Sequence, residues 1–362
     1  MDLYDLGLGK VVNKRWYVQS QLGEGSCGVV YRVYDVQNPK FKAALKVEAI
    51  TEENVTILKK EAIVLKELRL RKFVPQLIYS GRRENYSYIV LSLFGKNLNQ
   101  LKKDKNLEKL SAGCAAKIGV HVLYAIKQVH EIGYVHRDVK PSNIVVGRHG
   151  MEKRMMFLID YGMCRAYAIW ENGTARIRQA REKVLFRGTT RYCSLDVHLK
   201  KEQGRKDDLW SLLYLLIELR DDLPWTGKPE PETGKIKAEI KDEVLLKNCP
   251  KSWLEIAKHL HGLSYESRPN YLLIYDKLVQ SMLANNTTFD APYDWERNTD
   301  TKPSESSVTS TRKTDKGKNK TPSTSLDMQP PSLDLTPRPD TSQPPTIPTT
   351  DPSNFSSCDI GI

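Results

Sequence analysis

No stretch of this chain approaches the roughly 18 consecutive apolar residues of a membrane span. Residues Met1 to Trp16 mix Asp2, Asp5, Lys10, Lys14 and Arg15 without the apolar block of a secretory signal. The expectation is a protein kept inside the cell, in the cytoplasm with the nucleus as a second compartment, and with no membrane partner. Cysteines are few and scattered: Cys27, Cys114, Cys164, Cys193, Cys249 and Cys358 form no Cys-x-x-Cys pair and meet no histidine cluster. That argues against zinc and for reduced thiols. No repeat of fixed period is present, which argues against a solenoid or propeller. Aromatic residues also run out near the end, where Phe355 stands alone among Ser, Thr, Pro, Lys and Asp between Thr299 and Ile362. Such a segment cannot bury enough apolar surface to offset chain entropy, so residues 298–362 are expected to form a disordered Ser/Thr/Pro-rich tail.

What is present is a globular composition. The 362 residues are 40% apolar and 28% charged, enough for a full core. The net charge is +12, and from Thr299 onward seven Lys/Arg face eight Asp/Glu, so the positive field belongs to the earlier part. A basic field favours acidic partners but does not choose among nucleic acid, anionic lipid and acidic protein segments, and a solvated basic surface is the plain alternative.

Along the chain, Tyr17 to Leu22, Val29 to Asp35 and Ala43 to Glu48 are β-rich segments divided by Gly or Pro turns, as in an antiparallel sheet. Leu58, Ala62, Leu65 and Leu68 then recur at helical spacing, and Tyr86 to Phe94 returns to strand character. Beyond Gly95 the pattern is helical, with one amphipathic face through Ile118, Val122, Ala125, Ile126 and Val129 that stops at Gly133. Leu209 to Leu219 is apolar nearly all round. The expected fold is α+β in two lobes, a small five-stranded β lobe with one main helix and then a larger helical lobe.

Gly23-Glu24-Gly25-Ser26-Cys27-Gly28 is a G-x-G-x-x-G loop. Alone it is weak evidence, because dinucleotide-binding folds and structural hairpins carry the same letters. A dinucleotide loop opens a helix, whereas Val29-Val30-Tyr31-Arg32-Val33-Tyr34 continues as a strand, giving a hairpin whose backbone can close over phosphates. No Gly-Lys-Ser/Thr follows, so a P-loop is excluded. Ala43-Ala44-Leu45-Lys46 fits a strand in which Ala44 roofs an adenine and Lys46 holds α and β phosphates, with Glu61 placed to pair with that lysine. In isolation, either charged residue would read as surface.

His136-Arg137-Asp138-Val139-Lys140-Pro141-Ser142-Asn143 decides the reading. It fits H-R-D-x-K-x-x-N: Asp138 to accept a hydroxyl proton, Lys140 to neutralise a transferring phosphoryl group, Asn143 to bind a metal. Phe157-Leu158-Ile159-Asp160-Tyr161-Gly162 reads as a strand ending in a D-F-G variant, with Asp160 as the second metal ligand. The order of motifs predicts ATP and Mg²⁺ in a cleft between lobes, with Gly23, Glu24, Gly25, Ser26, Gly28, Val30, Ala44, Lys46 and Glu61 around the nucleotide. The alternatives are a pseudokinase scaffold, whose usual mark is loss of Lys46, Asp138, Asn143 or Asp160, and a small-molecule kinase of related fold. None of the four residues is lost.

Phe186-Arg187-Gly188-Thr189-Thr190-Arg191-Tyr192-Cys193-Ser194-Leu195-Asp196 resembles the casein kinase I version of the activation-segment end, where Ser-Ile-Asn replaces Ala-Pro-Glu. Arg205 to Leu212, Leu223-Pro224-Trp225 and Tyr293 to Glu296 are similar to the tau-tubulin kinase branch, as is Ala44 to Glu48. The resemblance implies a serine/threonine kinase domain over residues 17–297, preceded by an extension over 1–16. It also implies Leu91 as gatekeeper, Leu93 in the hinge to adenine, and Asp208 as anchor of the catalytic loop.

Two departures stand out, Tyr161 for Phe and Asp196 for Asn. A basic run through Arg176, Arg178, Arg181, Lys183, Arg187 and Arg191, with Lys237 near Glu239, suggests a substrate-anion site at Arg191 and Lys237. Such cations can also receive a phosphate on the activation segment itself or form a solvated basic loop; the resemblance implies acidic or already phosphorylated protein substrates with Ser or Thr as partners, and the expectation is no nucleic acid and a monomeric enzyme.

Overall fold

The structure is a computed structural model that describes residues 6–25, 28–50, 57–297 and 348–356. The chain begins with β1 (Val11–Val12), β2 (Trp16–Gly25), β3 (Gly28–Asp35) and β4 (Asn38–Ala49), followed by α1 (Ile57–Leu68), β5 (Leu77–Arg82) and β6 (Tyr86–Ser92). The strands form one antiparallel sheet in the order β1-β2-β3-β4-β6-β5. In β3, Val29, Tyr31, Val33 and Asp35 are buried and alternate with half-buried neighbours, the period of two that a pleated strand imposes. One face therefore packs Val18, Val29, Tyr31, Val33, Ala43, Leu45, Val47 and Val90 into a core of its own. The other face turns Val30, Ala44, Lys46 and Leu91 together, because Val30 lies opposite Lys46 and Ala44 opposite Leu91.

The sheet has six strands, not five. The addition is β1, and Leu6, Val12 and Trp16 close the sheet's outer core. What reads as an extension over 1–16 is therefore, among the described residues, part of the lobe. A two-residue strand is too short to show a period, which is why sequence patterning misses it.

The second lobe opens with α2 (Leu98–Asp104) and α3 (Ala112–His130). Short hairpins follow, built from β7 (Tyr134–Val135), β8 (Ile144–Val146), β9 (Met156–Leu158), β10 (Arg165–Ala166), β11 (Ala168–Glu171) and β12 (Thr174–Ile177). The chain then passes through α4 (Leu195–His198), α5 (Arg205–Arg220), α6 (Glu230–Glu239), α7 (Asp242–Leu245), α8 (Trp253–His261) and α9 (Tyr271–Ala284). A last short helix, α10 (Ser353–Ser356), belongs to the far C-terminal segment.

Helix α3 is the axis of this lobe. The Ser111 hydroxyl caps it by accepting from the Cys114 amide at 3.2 Å, and it ends before Gly133, whose φ of +81° suits a residue without Cβ. Sequence periodicity shows one apolar face, yet every residue after Ala112 is buried. The polar positions survive burial by finding partners: Lys117 donates to the Ala291 carbonyl at 2.7 Å and lies 4.1 Å from the Tyr293 ring centre. Burial still pushes that ammonium down to about 8.

The expected disordered tail falls mainly on residues outside those described. Residues 348–356 are described, and they pack on the helical lobe, with Phe355 fully buried in its core.

Candidate active site

Strand β4 delivers Lys46 to the cleft face and α1 presents Glu61 to it. The Lys46 ammonium lies 2.8 Å from Glu61 Oε2 and 2.7 Å from Asp160 Oδ1. Burial opposes the lysine charge, but the two carboxylates outweigh it and raise its pKa. Burial raises Glu61 despite Lys46, whereas for Asp160 the attraction of Lys46 outweighs burial and lowers it. Asp160 sits at φ 68°, ψ 76°, the left-handed region, which turns its carboxylate back to Lys46. The next residue is held too, since the Tyr161 amide donates to Glu61 Oε1 at 3.2 Å. Tyr161 replaces the usual Phe at no polar penalty, because its buried hydroxyl donates to the Leu158 carbonyl at 2.9 Å.

The catalytic loop follows β7. Asp138 Oδ2 lies 2.7 Å from Lys140 Nζ and accepts from Asn143 Nδ2 at 3.1 Å. Asp138 Oδ1 accepts from the Thr189 hydroxyl at 2.7 Å, and Lys140 Nζ lies 3.2 Å from the same hydroxyl. Asn143 Nδ2 also donates to the Asp138 carbonyl at 2.9 Å, so the amide's oxygen is turned away and free to ligate a cation. Thr189 has no assigned role in the sequence reading; its signal was its place between Gly188 and Thr190 in the activation segment, and folding brings it 51 positions back to Asp138.

Asp208, at the start of α5, fixes this loop from below. Its Oδ2 accepts the His136 amide at 2.7 Å and its Oδ1 accepts the Arg137 amide at 2.7 Å. His130 Nε2 is 2.9 Å from the same carboxylate, and His130 Nδ1 is 2.7 Å from the Tyr271 hydroxyl. A neutral His130 that donates from Nε2 and accepts from Tyr271 satisfies all of these groups, in keeping with the burial that lowers its pKa. For Asp208, burial acts upward, but the hydrogen bonds it accepts from the His130 ring and the His136 amide hold its pKa below the ordinary carboxyl value.

In the glycine-rich hairpin, Gly23 pairs with Val30, Glu24 with Val29 and Gly25 with Gly28, while Ser26 lies outside the described residues. Gly28 has φ +106°, and a Cβ there would meet the Val47 carbonyl oxygen at 1.9 Å. A Cβ on Gly23 or Gly25 would meet nothing within 4 Å, so packing does not require glycine there. Leu91, at the end of β6, pairs with Ala44 across the sheet, and Leu93 follows half-buried in the link to α2.

The activation segment is corrected most by the structure. Lys237 is not a free cation: its three N–H groups point to the carbonyls of Thr190 at 2.7 Å and Cys193 at 2.6 Å and to His198 Nε2 at 3.3 Å. Its pKa is pushed down by burial to about 8, and no donor remains for a substrate phosphate. Arg191 is half-exposed and bound to Glu218 Oε1 at 2.8 Å. Arg176 pairs with Glu171, and both Arg165 and Arg181 pair with Glu202. Arg178, Lys183 and Arg187 have no ion pair among the described residues. The Asp196 departure also gains a cause, since its carboxylate pairs with Lys206 and, at 3.1 Å, with Lys201, and these cations outweigh burial to lower its pKa.

A protein kinase domain description matches residues 16–287 of the chain. Over 293 residues, 80% of this chain and 84% of the relative, it is 40% identical to a Caenorhabditis elegans protein named as a serine/threonine-protein kinase. A casein kinase I by name from the same organism is 30% identical over 300 residues, 80% of this chain and 85% of that protein. An inactive tau-tubulin kinase, also from Caenorhabditis elegans, is 33% identical over 232 residues, 62% of this chain and 80% of its own length. With its two lobes, its Lys46 to Glu61 pair and its catalytic loop, the chain belongs to the protein kinase family, as a serine/threonine kinase of the casein kinase I superfamily near its tau-tubulin kinase branch.

Proposed function

We propose that this kinase acts as a monomer and transfers the γ-phosphoryl group of magnesium-bound ATP to Ser and Thr hydroxyls of acidic or already phosphorylated proteins. The observation that carries the reading is the Asp138 carboxylate, 4% exposed and held by Lys140, Asn143 and Thr189. A carboxylate fixed by three donors cannot swing away, so it can receive the proton of an incoming hydroxyl as that oxygen bonds to phosphorus and the bond to the ADP oxygen breaks. Lys140 stays close enough to offset charge on the transferring group.

The residues present fit the nucleotide and the metal. Gly23 and Gly25 leave unfilled space where phosphates must approach a backbone closely, and Lys46 is held charged beside them. The free oxygen of Asn143 and the carboxylate of Asp160 are hard donors suited to magnesium. When bound, that ion neutralises phosphate charge; everything else is positioning by the chain's own side chains. Asp160→Asn is expected to raise the magnesium concentration needed for half-maximal rate by about tenfold or more, as loss of one carboxylate ligand implies. A metal titration that superimposes on wild type would remove Asp160 from that role.

The pseudokinase reading has one favouring fact, a relative named as inactive. Against it stand Lys46, Asp138, Asn143 and Asp160, all retained here. Transfer of radiolabelled phosphate to casein, with small alcohols as the control, tests both this and a small-molecule kinase; no incorporation into any acceptor would favour the scaffold.

Preference for acidic substrates rests on Arg178, Lys183 and Arg187, and on Arg191 if an incoming dianion displaces Glu218. Lys237 is excluded by its saturated donors. Peptides with Asp, Glu or phosphoserine upstream of the target are expected to show higher kcat/KM than neutral ones, more so at low salt. Arg191→Ala should narrow that ratio by roughly two- to fivefold, the scale of a half-exposed ion pair. An unchanged ratio would leave Arg191 a purely structural partner of Glu218.

A further inference from the structure

Phe355 is the sole aromatic residue between Thr299 and Ile362, and it is completely buried. Its ring stacks on Tyr275 of α9 at 4.4 Å between centres and 27° between planes. The Tyr124 ring of α3 meets it edge-on at 6.1 Å. Six residues earlier Thr349 is equally buried, its hydroxyl 3.3 Å from Nδ1 of His121 on α3. Burial, with Lys117 nearby, pushes His121 down to about 3, so the ring is neutral and Nδ1 can accept the hydroxyl proton. Backbone bonds complete the seat: the Tyr275 hydroxyl donates to the Thr350 carbonyl at 3.4 Å and Arg268 Nη2 to the Ser356 carbonyl at 3.5 Å. This is the anatomy of a short-peptide site, with one aromatic anchor in a fully desolvated pocket, one buried polar contact and backbone bonds at the rim.

We propose that the cleft between α3 and α9 is a docking groove for a short phenylalanine-anchored segment, and that residues 348–356 of the same chain occupy it reversibly. The segment follows Arg297 by about fifty residues of chain, and a helix of four residues has negligible stability of its own. Attachment to the same chain supplies an effective concentration of the order of mM. A segment whose free peptide binds at about 10 μM would then fill the groove about 99% of the time. Any second protein offering the same Thr and Phe at this spacing would have to compete with the chain's own end.

The test is an exchange experiment on the full chain. A fluorescein-labelled peptide of residues 346–357 is titrated by anisotropy into wild type and into Phe355→Ala, which empties the groove without touching the active site. The peptide is expected to bind Phe355→Ala at least about tenfold more tightly than wild type, and the same peptide with its phenylalanine replaced by alanine should bind neither. Equal affinity for both chains, or binding to neither, overturns the proposal. Hydrogen exchange gives a second readout on the intact chains, with faster exchange across α9 expected in Phe355→Ala. Unchanged protection there would also count against a docked segment. Should sedimentation show wild type dimerising with concentration and Phe355→Ala remaining monomeric, the occupant is a second copy's segment and the assignment to the same chain fails.

Discussion

Asp138→Asn is expected to lower kcat by about 10²- to 10⁴-fold, the range for a positioned acid or base. That corresponds to roughly 3–5 kcal/mol of barrier. Asparagine keeps the shape of the side chain: its oxygen can still accept from Lys140 and Asn143 while its amide nitrogen donates to the Thr189 hydroxyl, so the loop should hold its conformation. What it loses is the capacity to take a proton. Nucleotide affinity should change little, because Lys46, Glu61 and the glycine hairpin lie on the other lobe. Steady-state kinetics with a binding isotherm for ATP separates the two effects. Near-normal turnover in a folded variant would mean that Asp138 only positions substrate, and a parallel loss of ATP affinity would point to a collapsed loop.

The second large effect is on stability. Asp208→Ala removes the acceptor for the amides of His136 and Arg137 and for His130 Nε2, at a site 1% exposed. Stranding buried donors in this way costs about 3–5 kcal/mol in total. For a domain of this size the melting temperature should fall by roughly 10 °C. Activity should fall as well, since the His136 ring receives the Asp138 amide at 3.3 Å and so links Asp208 to the catalytic carboxylate. Because the Asp208 carboxyl is held below its ordinary value, its stabilising contribution is present above about pH 4 and lost as pH falls further. The stability gap between wild type and variant should therefore shrink in acid. A melting temperature within a degree or two of wild type, or a gap that widens on acidification, would contradict this account.

The catalytic residues were legible because their chemistry forces them into short runs. Asp138, Lys140 and Asn143 sit within six positions, and one loop must present all three to one reacting centre. Gly28 was legible for a related reason, since any side chain there would strike Val47. Lys46 and Glu61 were assigned to each other from a strand and a helix face, and their ammonium and carboxylate lie 2.8 Å apart. By contrast β1 carries too few residues for periodicity, and the burial of α3 on every side cannot be inferred from a stripe of apolar residues, because Lys117, His121 and His130 look like solvent positions until their partners are known.

The sequence by itself determined the two-lobed fold class, the phosphoryl-transfer chemistry and the family, all carried by local patterns whose spacing is set by backbone geometry. Tertiary structure alone decided the fate of individual charges. Arg191, at the end of a basic run, and Lys237, near Glu239, look alike as candidate anion-binding cations, yet one is half-exposed on Glu218 and the other has every donor consumed by Thr190, Cys193 and His198. It also decided that Phe355, isolated in a polar tail, is a core residue. The physical reason is common to both cases: a cation's availability and a ring's burial depend on partners dozens to hundreds of positions away, and composition near the residue holds no record of them.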